Sequence, residues 1–393
     1  MIKVKEDIFG MAVNPFTGMA QVVRRYTISN ANRLTVAIIQ LGATVQSIKA
    51  PDAEHNVNDI ILGFDDVAGY LMQQDKHIGC VLGRVAGIVS NGEFVMEERK
   101  VILTRNYKNK HQMDGGFIGL DKVIWDLDMI RPDGVTLRHI SKDGHEGYAG
   151  NLKIMVHYTV DNDNRFFIRI EATTDHITPV NIASNLFFNI AGHKSGKNGL
   201  WEHRVNVKAN ATIAMDSEGI PTGRYKNVDD TLADLRMAMV LGDRLRQMEE
   251  YPTPGYDVNY VLNTSFEPNT PKFVARFVHP ESGRFMDVHT NQPGMYFATA
   301  NFFPNEARGQ QPIMGKECTR YWKHCAFNLR LQKFPDSVNN LDFPTTALSS
   351  DDRFFSETVL RFGVQETWKC CAQMEEDMPP LEWNNATMDK RVT

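Results

Sequence analysis

The chain has 393 residues, 42% hydrophobic and 10% aromatic, enough to bury a large core. Its net charge is −5 with acidic and basic residues interspersed, which excludes the basic footprint of a nucleic-acid or anionic-membrane binder. No stretch nears the ~18 consecutive apolar residues of a membrane span, and the opening Met-Ile-Lys-Val-Lys-Glu has no apolar signal segment.

These features predict a soluble, cytoplasmic protein. Five scattered cysteines fit a reducing compartment better than a disulfide framework, so the sequons at Asn210, Asn263 and Asn385 carry little weight.

The dominant hydrophobic period is two. Leu34–Leu41 is the first clear strand. Leu152, Ile154, Val156, Tyr158 and Val160 alternate with Lys153, Met155, His157 and Thr159, and the alternation resumes at Phe166, Ile168, Ile170 and Ala172. Asp161–Asn164 supply turn chemistry between them, which predicts a β-hairpin. Val205–Ile213 reads as a further strand. Asp229–Glu250, with Leu232, Leu235 and Leu241, is the best candidate helix. Phe273–Val278 and Phe285–Val288 are strands split by a turn at Pro280–Gly283. Many short strands with turn signals between them predict an all-β sandwich or barrel over residues 1–365. From Glu366 the alternation stops. Cys370, Cys371, the acidic run Glu375–Asp377 and Pro379-Pro380 read as a C-terminal tail, 366–393, either inert or a motif for a protein partner.

Eight segments in order resemble landmarks of the aldose 1-epimerase (galactose mutarotase) family. They are Asp59-Ile-Ile-Leu-Gly-Phe64, Gly79-Cys-Val-Leu-Gly-Arg84-Val-Ala, Asp114-Gly-Gly with Gly119-Leu-Asp-Lys-Val-Ile-Trp125, and Asp143-Gly-His-Glu-Gly-Tyr148-Ala-Gly150. Pro179-Val-Asn181 with Phe188-Asn-Ile-Ala-Gly192, Gly255-Tyr-Asp257, Gln292-Pro-Gly294 with Asn301-Phe302, and Phe334-Pro-Asp-Ser-Val-Asn339 complete the set. The resemblance runs from about Phe9 to about Gln365. It implies a large twisted antiparallel β-sandwich with a sugar cleft across one sheet, and acid–base chemistry without metal or cofactor. In that chemistry a glutamate takes the proton of the anomeric hydroxyl and a histidine protonates the ring oxygen.

The positions that resemble those catalytic residues hold other side chains. The glutamate position reads Phe327-Asn-Leu-Arg330-Leu-Gln332, and arginine keeps its proton at any physiological pH. The histidine position reads Pro179-Val-Asn-Ile-Ala-Ser-Asn185, and an amide donates no proton near pH 7. A second histidine, implied just before Gly115-Gly116, is Asp114. His111 is the nearest substitute and reads as an exposed loop histidine. The implied Asn-Arg pair is Gly87-Ile88, and an implied glutamine is Tyr296. Asp257 matches the aspartate that accepts sugar hydroxyls, with a turn aspartate as the plain alternative. Arg84 also matches, in a binding or a structural role. Cys318, His324 and Cys325 fit no familiar zinc spacing.

The leading expectation is therefore a non-catalytic relative that binds a carbohydrate or another protein. An active epimerase using Asp114 or His111 remains open, as does an anionic sugar drawn by Arg330. Asp114 and Arg330, an acid and a base in exchanged places, are expected to form a charge pair across the cleft.

Overall fold

The computed structural model describes residues 1–251, 254–263 and 269–365. Antiparallel pairing builds three main sheets. A nine-stranded sheet runs in the order Asp126–Arg131, Gly134–Ser141, Leu152–Val160, Arg165–Thr174, Phe354–Val364, Arg284–Thr290, Lys272–Val278, Arg204–Val207, Met239–Val240. A six-stranded sheet runs Leu186–Phe188, Phe327–Gln332, Gly294–Ala298, Asp257–Leu262, Ala209–Met215, Pro221–Asn227. The first five strands, Lys3–Val13 to Val57–Asp59, pair in chain order as a third sheet.

The period-two pattern explains the layering. Leu152, Ile154, Val156, Tyr158 and Val160 are all buried, and they meet inward residues of the six-stranded sheet such as Phe188, Leu329 and Phe297 in one continuous core. Phe277 of one sheet stacks on Phe327 of the other with ring centroids 4.4 Å apart. The predicted hairpin pairs from Leu152 with Thr174 to Val160 with Phe166, and Asp161 caps its turn by accepting the amides of Asp163 and Arg165.

Two expectations need correction. Val205–Ile213 is two strands. Arg204–Val207 belongs to the nine-stranded sheet and Ala209–Met215 to the six-stranded one, so the chain changes layers at Lys208. The alternation of apolar residues continues through that corner, which hides it. The Asp229–Glu250 helix shrinks to Leu241–Gln247. Ahead of it, short-range polar bonds win over helix: Thr231 Oγ1 donates to Val228 O, and Asp234 accepts both the amide and the guanidinium of Arg236. Leu235 still reaches the core, its carbonyl accepting the amide of Val207. The tail 366–393, with the sequon at Asn385, lies outside the described residues. Among the described residues no helix is long and apolar enough to cross a membrane.

Candidate functional site

Within Phe327–Gln332 the neighbours Leu329 and Leu331 are buried in the core, so Asn328, Arg330 and Gln332 project from the other face of the six-stranded sheet. The register sets Tyr296 directly opposite Arg330, and Asn259 opposite Tyr296. This face is therefore a polar row on an apolar sheet, roofed by two loops.

The roof is built on close backbone contact. Gly115 has φ 89°, and a Cβ there would lie 1.9 Å from Gly83 O, so only glycine fits. That approach brings Asp114 beside Gly87: the Asp114 amide donates to Gly87 O at 2.9 Å, and Asp114 Oδ1 accepts the Gly87 amide at 2.7 Å. The same oxygen accepts Arg330 Nη1 at 3.1 Å. Asp114 and Arg330 side chains are only 6% and 15% exposed, so the pair is largely withdrawn from water. The Arg330 guanidinium also lies over the Tyr296 ring, 4.3 Å from its centroid.

Burial opposes the charge on Arg330, but the Asp114 carboxylate, with Tyr296 and Asp257 behind it, outweighs burial and holds the guanidinium above its ordinary value. The Tyr296 hydroxyl is pushed far up by burial and by the Asp257 charge, so it stays neutral.

Asn185 lies next to this pair along the sheet. Its amide nitrogen donates to His77 O at 2.7 Å and its oxygen accepts Asn328 Nδ2 at 2.8 Å, so both ends of a nearly fully buried amide are tied to protein. Asp257 stays exposed at the rim. Arg84 is buried, and its two terminal nitrogens bond Ala149 O, Gly150 O, Thr178 Oγ1, Ser141 and Lys142 O. Of its two expected roles the structural one accounts for its contacts.

His111 corrects the expectation of an exposed loop residue. It is 1% exposed, its Nδ1 accepts the Asn91 amide at 3.0 Å, and its Nε2 is aimed at Glu218, 3.7 Å away. Burial first, then Lys110, lower its pKa. Cys318 is exposed, Cys325 is buried and His324 Nε2 lies 3.2 Å from Pro254 O; the three form no metal-binding group.

Sequence reasoning missed the pair directly behind Asn185. His77 Nδ1 lies 2.9 Å from Asp121 Oδ2, and burial of the ring is outweighed by the Asp121 carboxylate, which holds His77 above its ordinary value. Asp121 sits inside the Gly119–Trp125 landmark, and His77 stands three residues before Cys80. Those were the available signals.

With this geometry in hand, the comparisons are specific. The family model described as aldose 1-epimerase matches residues 24–361. The galactose mutarotase of Rattus norvegicus is 34% identical over 364 residues, covering 93% of this chain and 100% of its own. The aldose 1-epimerase of Escherichia coli is 28% identical over 325 residues, 82% of this chain and 90% of its own. Among solved structures, an aldose epimerase homologue from C. elegans superposes with TM-score 0.77 at 24% identity, covering 86% of this chain and 97% of its own. A galactose 1-epimerase from Lactobacillus acidophilus gives 0.76 at 21%, covering 93% and 99%. Both structural likenesses establish the shared fold.

Proposed function

The chain belongs to the aldose 1-epimerase family, and from that premise we propose that it is a non-catalytic member acting as a carbohydrate-binding or protein-interaction module. One observation carries this reading: Arg330 stands where the family resemblance implies the general base, clamped between the Asp114 carboxylate and the Tyr296 ring. A guanidinium held above its ordinary pKa accepts no proton from an anomeric hydroxyl. At the position implied for the acid, the Asn185 amide is bonded at both ends and has no proton to transfer near neutral pH. Acid and base each contribute on the order of 10²–10⁴ in rate, so their joint loss removes the mechanism rather than tuning it.

The pairing also bears on the ligand. Asp114 neutralises Arg330 locally, so the anionic-sugar reading loses its attractive charge. The exposed Asp257 carboxylate beside Tyr296 is suited to accept hydroxyl hydrogens, which favours a neutral hexose at the rim.

The deciding experiment is mutarotation of α-galactose and α-glucose followed by polarimetry, alongside a thermal-shift screen of sugars and sugar phosphates. We expect no acceleration over the spontaneous rate. Turnover of about 10 per second, the median for enzymes, would reject the non-catalytic reading and favour an epimerase working through Asp114.

A further inference from the structure

We propose that His77, Cys80 and Asp121 form a site for one divalent zinc ion, beside the cleft and independent of the sugar reading. The donor atoms of the three side chains all lie within 4.8 Å of one another. His77 and Cys80 are presented by one short loop, in the His-x-x-Cys spacing that lets two ligands share a turn. The loop is held in shape from both sides. His77 has φ 50° and Gly79 φ 77°, and a Cβ on Gly79 would come 2.5 Å from Val45 O. Asp121 approaches from the segment that follows Gly119, so the third donor comes from a different part of the chain and closes the set.

Two further observations point to a ligand at this place. The Asp121 side chain is only 3% exposed, and of its two oxygens Oδ2 meets His77 Nδ1 while Oδ1, on the Gly119 side, has no partner. So under-compensated a buried carboxylate is costly, and a cation at Oδ2 would offset its charge. The three donors line a cavity of about 20 Å³ together with Thr44, Gln73 and Gln74. That volume admits one water-sized body, and its lining includes an imidazole, a thiol and a carboxylate beside the apolar Leu41, Tyr70 and Ile78. Imidazole, thiolate and carboxylate together suit zinc rather than magnesium or calcium, which take all-oxygen sets.

Zinc sits about 2.0–2.3 Å from such donors, which sets them roughly 3.3–3.7 Å apart in a tetrahedron. His77 Nδ1 and Asp121 Oδ2 are now 2.9 Å apart. The ion would replace the proton shared between them with an opening of a few tenths of an ångström. Cys80 Sγ, which donates to His77 O at 3.2 Å, would exchange its proton for the metal. Zinc takes cysteine as the thiolate, so the ion itself drives that proton off. Zinc binding therefore releases protons to solvent and strengthens as pH rises. Three protein ligands leave a fourth position, which the cavity supplies with water.

The test uses the full chain stripped of metal and titrated with zinc chloride against a chromophoric chelator. We expect one tight equivalent, with affinity falling more than tenfold in Cys80→Ser and in Asp121→Asn. Cobalt(II) gives a second readout: a thiolate-to-cobalt charge-transfer band that is present in the parent chain and lost in Cys80→Ser. This readout serves even where Asp121→Asn fails to fold. Among the described residues the other three-donor group is Glu202–His279–Glu281, two exposed carboxylates beside a buried imidazole, so Glu202→Gln/Glu281→Gln is the control and should retain the equivalent. No stoichiometric zinc, or zinc that survives Cys80→Ser and is lost in the control, overturns the site.

Discussion

Arg330 Nη1 and the Gly87 amide share one oxygen, Asp114 Oδ1, at 3.1 and 2.7 Å. The carboxylate thus anchors a loop and a charge together, while the guanidinium rests on Tyr296. Removing one partner of a mostly buried pair leaves the other uncompensated, which costs more than the pair gains on forming. Asp114→Asn keeps an acceptor for Gly87 and tolerates the left-handed backbone at φ 50°, so it isolates the charge. Arg330→Met keeps the apolar stem. A double-mutant cycle on unfolding free energy should give coupling above about 1 kcal/mol. Additivity within about 0.3–0.5 kcal/mol would mean that the pair is incidental.

The same geometry makes reversion toward the family pattern order-dependent. Arg330→Glu alone sets a second carboxylate against Asp114, so it should be less stable than Arg330→Met. Adding Asp114→His should restore stability by giving the new carboxylate a cationic or hydrogen-bonding partner. Only the triple change Asp114→His, Asn185→His, Arg330→Glu supplies both an acid and a base. Mutarotation should rise above background in the triple variant, and neither in Arg330→Glu nor in the Asp114→His/Arg330→Glu double. Equal, low activity in all of them would indicate that the remaining frame, Gly87-Ile88 included, no longer seats the sugar.

Much of this molecule was legible in its sequence because strands repeat every two residues and the repeat survives in the folded sheets. Leu152–Val160 and its hairpin partner are examples. The layer change at Lys208 was not legible, since apolar residues alternate through the corner from Val205 to Ile213 and only the pairing partners change. The 229–240 segment misled because leucines at helical spacing sit in a run of side-chain-capped turns. At the site, Arg330 and Asp114 could be paired from the exchange of charge between two landmark positions. His77 could not, because it falls outside every landmark segment, which leaves no position to compare it with, and the His-x-x-Cys spacing is too common to single out alone.

The boundary at residue 365 yields a stability prediction. The strand Phe354–Val364 lies between Arg165–Thr174 and Arg284–Thr290, and the Gln365 amide closes onto Gly283 O at 2.9 Å. Deleting residues 366–393 should leave cooperative unfolding within about 1 kcal/mol of the full chain. A loss above about 3 kcal/mol, the range of core damage, would make the tail part of the sandwich. Deletion from Phe354 onward should abolish folding, because it removes a central strand.

His203 should make the fold sensitive to acid. The ring is fully buried and lies edge-on to Phe327, with centroids 5.5 Å apart. Its Nδ1 faces two carbonyls, Gly199 O at 2.7 Å and Leu200 O at 3.1 Å, and so carries the proton. Its Nε2 accepts the Ile190 amide at 3.1 Å, so a second proton would point straight at another donor. Burial first, and the neighbouring His279 second, lower its pKa to about 3. The unfolded chain titrates this group near its ordinary value of about 6.5. Between those limits the unfolded state binds the extra proton and the folded state does not. The contribution is therefore complete above about pH 6.5 and declines as pH falls toward about 3, at up to about 1.4 kcal/mol per pH unit. His139 and His193, both lowered to about 4 mainly by burial, add to the loss in the same window. His203→Gln keeps an acceptor for Ile190 but cannot titrate. Urea unfolding at pH 7, 6, 5 and 4 should show a parent chain that loses stability more steeply than the variant by nearly one proton's slope. Parallel curves would mean that the buried ring is not the acid-sensitive group.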